Sequence, residues 1–508
     1  MKIALLGGME FVVSNNDNLG DGSLRWALDQ ANGNAGFDQI SFDQSLSGQV
    51  IGLVTSLPSI TDAVEISGLI DGSGAPQVQI DFNNQQGLIF AQGADRSSLV
   101  GFSLVDAGSD CIILNASKIT IQDNYIGVDL DGFTTIANHG NGILVNSGSH
   151  DNLIGTLDEL TGIPLEAQVS NVISGNIGDG IKIFKANNNR VANNRIGTTA
   201  DGTGELGNTG NGISIASGSN RNIIGGDASG GNDPTKGVFV RPPQGNLISG
   251  NRLNGVLIDK GSTRNTLLGN FIGTDAEGTS SIGNVLDGVA IVNSDHNSLI
   301  GTTRNQSPFI YYNVVSGNGR NGLRVKNSDN ITIHANFFGL GSDNATIVAN
   351  GGNGALIEGD SKRTQYGGVI PLGNVNAGNG GNGIEVKDVV SGFITFNTFG
   401  GLTAFGGIAP NQGDGILITS SGGNNTVRTN VLSGNIGNGL HISGNAKGVS
   451  VDPNIIGLNT YGTAATYQVG ADTISWGNGK NGILVDGSAR PHCHRWQQEK
   501  FDSSEYNF

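Results

Sequence analysis

The composition of the chain is that of an acidic, glycine-rich protein. Its 508 residues include 84 glycines, only 14% are charged, and the formal net charge is −16. This acidic balance argues against nucleic acid and against anionic membrane surfaces as partners. The glycines lack the strict triplet of collagen, no apolar run reaches transmembrane length, and the two cysteines, Cys111 and Cys493, form no framework.

The first part of the chain, residues 1–45, is interpreted as a cap region. Ser23 is a suitable N-cap for a short helix. The apolar residues after it share one helical face: Leu24, Ala27, Leu28 and Ala31. We expect this amphipathic helix to cover the open end of the first repeat, as the terminal unit of a solenoid requires.

From residue 46 onward one short unit recurs. Asn or Asp precedes a glycine, and apolar residues then fall at every second position, as in residues 142–146 and 415–419. This alternation has the period of a strand with one buried face. The opening glycines are Gly142, Gly180, Gly212, Gly255, Gly288, Gly322, Gly354, Gly383, Gly415, Gly439 and Gly482. The repeat predicts that residues 46–488 form an all-β, right-handed, single-stranded parallel β-helix.

Two further motifs alternate along the repeats. One is Asn-x-x-Ser-Gly-Asn, as in residues 171–176, and the other is a polar insertion, as in residues 197–208 and 273–284. Asn and Gly suit tight corners because both tolerate left-handed backbone angles. Asn at the same corner of successive coils can also form side-chain ladders. We expect the polar insertions to emerge along one edge of the solenoid.

The two ends of the chain carry further expectations. Residues 1–7 are too short for a signal-peptide core, so we expect a native export signal to be absent from this chain. Residues 489–508 share none of the earlier composition. This tail is interpreted as a cap, a linker or the product of a shifted reading frame.

Several segments together resemble a known group of proteins. They are GSLRWA at residues 22–27, DQISF at residues 38–42, and the later repeats of the type Ile-Gly-Thr-Asp-x-x-Gly-Thr. They resemble the bacterial secreted proteins with parallel β-helix repeats, over roughly residues 10–486. The resemblance implies the fold and an extracellular or cell-surface location. The group contains polysaccharide lyases, glycoside hydrolases, epimerases and non-catalytic adhesins, so the fold does not select the activity.

The outward-facing charged residues concentrate in three consecutive repeats: Arg324, Lys326, Glu358, Glu385 and Lys387. Strand spacing places the backbones of Glu358 and Glu385 about 8 Å apart, which suits two carboxylates working with a water between them in an inverting glycosidase. In a lyase, the cationic residues could instead hold an anionic sugar and take its α-proton. The alternative interpretation is a set of cross-strand ion pairs without a catalytic role.

Other candidate site residues lie outside this group. Asp259, Phe184 and Tyr366 are assigned to substrate binding, the two aromatic residues because ring faces support sugars. Asp129 and Asp131 lie in a repeated polar loop and could bind Ca²⁺ through oxygen. Asp-Gly pairs in such loops also serve simply as turns. We expect no cofactor to be required, and Ca²⁺ is the one candidate.

These observations predict a secreted, monomeric carbohydrate-active enzyme. It would cleave a polysaccharide or cell-surface glycan along the β-helix, as a glycoside hydrolase or a polysaccharide lyase. The alternative is a non-catalytic surface adhesin or passenger, in which the repeats form a stiff rod. The regularity of the repeats favours the alternative, whereas the central charged residues favour the enzyme.

Overall fold

The computed structural model describes residues 8–157, 171–226, 245–303, 310–368, 373–469 and 472–493. The chain divides into two compact units, Met1–Gly226 with Pro243–Val256 and Asp227–Pro242 with Leu257–Phe508. In each unit nearly all strands are parallel and belong to three sheets. The predicted parallel β-helix is confirmed. The boundaries at residues 46 and 488 stay predictions, and most of the atypical tail lies outside the described residues.

The first unit contains the α-helix Leu24–Gly33. Its N-cap is Ser23, whose hydroxyl accepts a hydrogen bond from the backbone N–H of Trp26 at 3.2 Å. The four apolar residues predicted to share a face are buried. They pack against the strands Glu10–Val13 and Asp38–Phe42, so the helix covers the start of the solenoid. Among the described residues, none of the helices has the length and hydropathy of a membrane span.

The strands of the first unit are short and follow one another through three sheets. The first sheet contains Glu10–Val13, Asp38–Phe42, Val64–Ser67, Ser98–Val100, Thr120–Gln122, Leu153–Gly155, Arg190–Ala192 and Ile223–Gly225. The second sheet contains Gln49–Gly52, Val78–Asp81, Phe102–Val105, Tyr125–Ile126, Val172–Ile173, Arg195–Ile196 and Leu247–Ile248. The third sheet contains Leu88–Phe90, Ile112–Leu114, Ile143–Val145, Ile181–Phe184 and Ile213–Ala216. The short 3-10 helix Gln44–Leu46 precedes the second sheet.

The second unit repeats this arrangement. Its first sheet contains Thr266–Leu268, Ser298–Ile300, Thr332–His334, Gln365–Tyr366, Ile394–Phe396, Asn425–Arg428, Lys447–Val451 and Arg490–Cys493. Its second sheet contains Phe271–Ile272, Asn313–Val315, Asn336–Phe338, Val375–Asn376, Phe399–Gly400, Val431–Leu432 and Ile455–Ile456. Its third sheet contains Val289–Val292, Leu323–Lys326, Ala355–Glu358, Ile384–Val386, Ile416–Ile418, Leu440–Ile442 and Ile483–Val485. The strand Val256–Ile258 contains the boundary between the units, and two antiparallel pairs stand apart: Thr302–Thr303 with Ile310–Tyr311, and Thr466–Val469 with Asp472–Ser475.

Asparagine ladders run along the corners of the coils, as the sequence predicts. In the first unit, Asn176 Nδ2 donates to Asn208 Oδ1 at 2.8 Å, and Asn208 Nδ2 donates to Asn251 Oδ1 at 2.9 Å. In the second unit, Asn318 and Asn350 continue the same pattern, with an amide–amide distance of 3.1 Å. All of these side chains are buried. Each side-chain amide therefore provides a hydrogen-bond partner for the buried amide of the next coil.

The polar insertions form hairpins that emerge from the second sheet. Five of them are closed by an antiparallel bridge, for example Val128 with Thr135 in the first unit and Leu340 with Ile347 in the second. Hairpins from alternate coils touch: in the second unit, Ser342 N–H donates to the carbonyl of Gly278 at 2.8 Å. The expected row of polar loops along one edge is confirmed within each unit.

Candidate functional site

The third sheet of the second unit presents the charged residues. Three neighbouring strands, Leu323–Lys326, Ala355–Glu358 and Ile384–Val386, pair in register, with Arg324 opposite Leu356 and Leu356 opposite Glu385. The alternate residues of these strands are fully buried in the core. Because side chains alternate across a strand, the charged residues lie on the outer face. We call Arg324, Lys326, Glu358, Glu385 and Lys387 the central cluster.

Glu358 is the centre of this cluster. Its Oε1 accepts hydrogen bonds from Arg324 Nε at 2.9 Å and Nη2 at 2.6 Å. Lys387 Nζ lies 3.2 Å from Oε2, and Lys326 Nζ lies 3.9 Å from Oε1. The side chain of Glu358 is only 8% exposed, whereas those of the three cations are 30–41% exposed. One buried carboxylate therefore holds three partly exposed cations together.

The charge state of Glu358 follows from these contacts. Burial acts to raise the pKa of its carboxyl, but the hydrogen bonds from Arg324 and Lys387 and their positive charges outweigh burial and lower the pKa below its ordinary value. Glu358 is therefore ionised at neutral pH and has no proton to donate. In the two-carboxylate hydrolase mechanism it could not serve as the general acid.

Glu385 has a different environment. Its Oε2 accepts one hydrogen bond, from Asn353 Nδ2 at 2.8 Å, and its side chain is half-buried. In the described part of the chain no cation forms an ion pair with it. Glu385 is thus the carboxylate of the central cluster that keeps an oxygen available to a ligand.

The three predicted substrate-binding residues fall in different surroundings. Phe184 lies half-exposed on the third sheet of the first unit, with Lys185 Nζ 5.3 Å from its ring centroid. Asp259, in the second unit, lies 3.9 Å from Lys260 Nζ.

Tyr366 does not lie on the surface as the sequence suggested. It is fully buried, and its hydroxyl donates to Asn376 Oδ1 at 2.7 Å. Its ring packs 6.2 Å from the rings of Phe338 and Phe393. The hydroxyl can be buried because it has a partner, and Tyr366 therefore cannot contact a surface-bound polymer.

Asp129 and Asp131 shape the turn of their hairpin. Asp131 Oδ1 accepts from the N–H groups of Phe133 and Thr134 at 2.7 and 2.8 Å, and Oδ2 accepts from the Thr134 hydroxyl. Asp129 Oδ1 accepts from Gln79 and from the next backbone N–H, both at 2.7 Å. Over the described ranges, no group of three or more His, Cys, Asp or Glu side chains is arranged to hold a metal ion. Calcium binding by these residues stays a prediction.

The sequence interpretation missed a second polar cluster on the same sheet. His441 Nδ1 lies 2.9 Å from Asp414 Oδ2, and its Nε2 lies 3.3 Å from Asp486 Oδ2. Ser443 donates to the other oxygen of Asp486. The sequence does hold a signal for this cluster, because Asp414 stands before an opening glycine where most repeats have Asn. One oxygen of Asp414 accepts the ladder hydrogen bond from Asn438, and the second is left for His441, the outward residue of the next coil.

Comparisons with known proteins find only distant similarities among solved structures. No protein-family model matches the chain, and no curated protein matches its sequence. Among solved structures it is similar to the A-module of the Azotobacter vinelandii mannuronan C-5 epimerase AlgE4, with 10% identity, a TM-score of 0.38 and coverage of 96% of this chain and 100% of that one.

Two further solved structures have other activities. The catalytic domain of a GH87 alpha-1,3-glucanase is 12% identical, with a TM-score of 0.35 and coverage of 96% and 68%. PfbA, a surface adhesin of Streptococcus pneumoniae, is 10% identical, with a TM-score of 0.24 and coverage of 88% and 89%. With TM-scores below 0.5, these similarities assign neither a family nor an activity. The pairing of the chain's own strands shows that it is a parallel β-helix.

Proposed function

We propose that the protein binds an acidic polysaccharide on the outer face of the third sheet, at the central cluster, and cleaves it by β-elimination. The observation that carries this proposal is the convergence of Arg324, Lys326 and Lys387 on the buried carboxylate of Glu358. Glu358 and Glu385 together balance two of the three positive charges. The central cluster thus keeps a net positive charge at a partly exposed site, in a chain whose formal net charge is −16.

A uronate carboxylate is the ligand that this arrangement suits. Arg324 donates two of its five N–H groups to Glu358, which leaves N–H groups at the end of the guanidinium for a ligand carboxylate, and lysine adds a compact positive charge. Glu358 acts as a positioning residue, because it holds the three cations close together against their mutual repulsion. A polymer can lie along the stacked coils, whose strands repeat about every 4.8 Å.

The chemistry follows from the same residues. Cations at the uronate carboxylate stabilise the negative charge that develops when the proton on the adjacent carbon is removed. Glu385 accepts that proton through its available oxygen. The electron pair of the C–H bond forms the new carbon–carbon double bond, and the neighbouring glycosidic C–O bond breaks. The leaving oxygen takes that bond's electron pair and a proton from water, so no oxidant or cofactor is required.

The first test is a product screen. The full chain is incubated with polygalacturonate, alginate and hyaluronan, and with xylan and dextran as neutral polymers, each with and without EDTA. New reducing ends and the ultraviolet absorbance of an unsaturated uronate are followed together. The proposal predicts that both rise on an acidic polymer. Reducing ends without absorbance would indicate a hydrolase, and no product from any polymer would contradict cleavage. The EDTA arm tests the calcium prediction at Asp129 and Asp131.

A second candidate function is that of a non-catalytic surface rod. The continuous asparagine ladders favour it, because they stiffen the coils without forming a site. A rod of this kind would retain an acidic polymer without producing new ends. Since large polysaccharides are met outside the cell, both functions place the protein in an extracellular or cell-surface location.

A further inference from the structure

The residue at the tip of each hairpin changes from acidic to aromatic along the second unit. Each hairpin closes with the same turn, in which the N–H after the tip residue donates to the carbonyl three positions earlier. The tip residues in chain order are Asp131, Asp201, Glu277, Asp343, Phe405 and Tyr461. The last two, Phe405 and Tyr461, are 75% and 84% exposed. Two largely exposed aromatic residues therefore occupy the position at which the earlier hairpins carry carboxylates.

These two hairpins are neighbours. They follow the strands Phe399–Gly400 and Ile455–Ile456, which are separated in the second sheet by the single strand Val431–Leu432. Two strand spacings place the tips about 10 Å apart, which is on the order of the length of a disaccharide. The side chain of Thr460 lies beside Gly406, where a methyl group would come within 3.3 Å of its Cγ2.

Two more aromatic residues extend this surface. Trp476 Nε1 donates to the carbonyl of Gly406 at 3.0 Å, next to the tip that carries Phe405. The ring of Tyr467 lies 4.5 Å from that of Trp476, at an interplanar angle of 36°. The backbone N–H of Trp476 donates to Ala465 at 2.9 Å. The bond to Gly406 and the ring of Tyr467 therefore hold the indole, and the bond to Ala465 fixes the backbone of Trp476. We call Phe405, Tyr461, Tyr467 and Trp476 the aromatic edge.

We propose that the aromatic edge is a carbohydrate-binding platform, on which the pyranose rings of a neutral polysaccharide stack. Aromatic faces are negative, whereas the C–H groups on the face of a pyranose ring are apolar and slightly positive. The spacing of the tips, the absence of carboxylates at these two tips, and the fixed indole all favour a chain of sugar rings.

A protein partner fits this surface less well. At about 200 Å² for each aromatic side chain, the exposed parts of Phe405, Tyr461 and Tyr467 offer on the order of 400 Å². A stable protein interface needs about 800 Å² from each partner. Sugar rings are bound by much smaller surfaces.

The platform is separate from the central cluster. It lies on hairpins of the second sheet and recognises ring faces, whereas the cluster lies on the third sheet and recognises charge. The inference therefore holds whether or not the protein cleaves a polymer. Binding at the aromatic edge should be insensitive to salt, and binding at the central cluster should weaken as salt screens its charges.

The test is affinity electrophoresis of the full chain in native gels that contain hydroxyethylcellulose, xylan or dextran. The variant is the double substitution F405A/Y461A. The matched control is Phe133→Ala, which removes a 53%-exposed aromatic residue from a hairpin of the first unit. We expect at least one polymer to retard the wild type and the control equally. The dissociation constant of the double variant should rise about tenfold, with an unchanged melting temperature.

A second measurement locates the contact. Tryptophan emission should change when the retarding polymer is added, and Trp476→Phe should abolish the change. The proposal is overturned if none of the three polymers retards the wild type, or if the double variant is retarded as strongly. It is also overturned if the double substitution only converts a dimer to a monomer in size-exclusion chromatography.

Discussion

Replacing Glu358 with Gln removes the carboxylate that three cations share. An exposed ion pair contributes about 0.2–1 kcal/mol, and breaking a fully buried pair costs about 3–5 kcal/mol. Glu358 is 8% exposed but its partners Arg324, Lys326 and Lys387 are 30–41% exposed, so solvent screens part of the interaction. We therefore expect Glu358→Gln to destabilise the surrounding coils by about 2 kcal/mol at neutral pH.

The effect should depend on pH. The pKa of Glu358 is lower in the folded protein than in the unfolded chain, where it is about 4.3. Its contribution to stability is therefore complete above the unfolded pKa, and it is lost as the pH falls through the folded pKa. The difference between wild type and Glu358→Gln should shrink below about pH 4.

Hydrogen exchange of the strand Ala355–Glu358 measures this effect locally, which suits a solenoid whose coils open separately. A loss of about 2 kcal/mol should speed exchange about 30-fold at neutral pH. Glu277→Gln, at an exposed hairpin tip of the same unit, is the control and should change exchange less than twofold. Equal exchange in wild type and Glu358→Gln at neutral pH would refute the reasoning, as would a difference that persists undiminished at low pH.

Three further predictions concern stability, each read by chemical unfolding. Asn318→Ala should lower the free energy of unfolding by about 3 kcal/mol, because it leaves the buried amides on either side without their hydrogen-bond partner. Gln365→Ala, at an exposed position, should lower it by less than about 0.5 kcal/mol. Burial raises the pKa of Asp123 from 3.8 to about 6, so Asp123→Asn should raise the free energy of unfolding by about 3 kcal/mol above that pH, with no gain below about pH 4. Gly278→Ala should destabilise more than Gly261→Ala, because both have positive φ but only Gly278 has a ring within 2.6 Å of the added methyl.

The sequence predicted the repeat architecture because strand alternation and corner chemistry are local signals. A glycine followed by alternating apolar residues defines the third sheet wherever it occurs, and Ser23 with its four apolar followers defines the helix. The asparagine ladders were also predictable, since the same residue type returns at the same corner. Each of these features needs only a few neighbouring residues.

The contacts of the candidate site could not be predicted from the sequence pattern, because they depend on side-chain conformation. The central cluster was identified by strand register, but its pairing was not, because Arg324 reaches diagonally to Glu358 rather than to the residue opposite it. Tyr366 was assigned to substrate binding from its residue type alone, although Asn376 gives its hydroxyl a buried partner. The length of a side chain and the partners within its range decide which residues pair and which are buried.

Two residues of the aromatic edge can be predicted from the sequence pattern. Aligning the hairpins by their turn shows carboxylates at four successive tips and then Phe405 and Tyr461. Trp476 carries no such signal, because it reaches the hairpin from a strand pair far along the chain.

The most direct test of the central claim is the initial rate of product formation on an acidic polymer by the wild type and two variants. Arg324→Gln with Lys387→Gln should raise KM by removing the charges that bind the uronate. Glu385→Gln should lower kcat at least about 100-fold with little change in KM, as expected for loss of a general base. Unaltered kinetics in both variants would contradict a catalytic site at the central cluster.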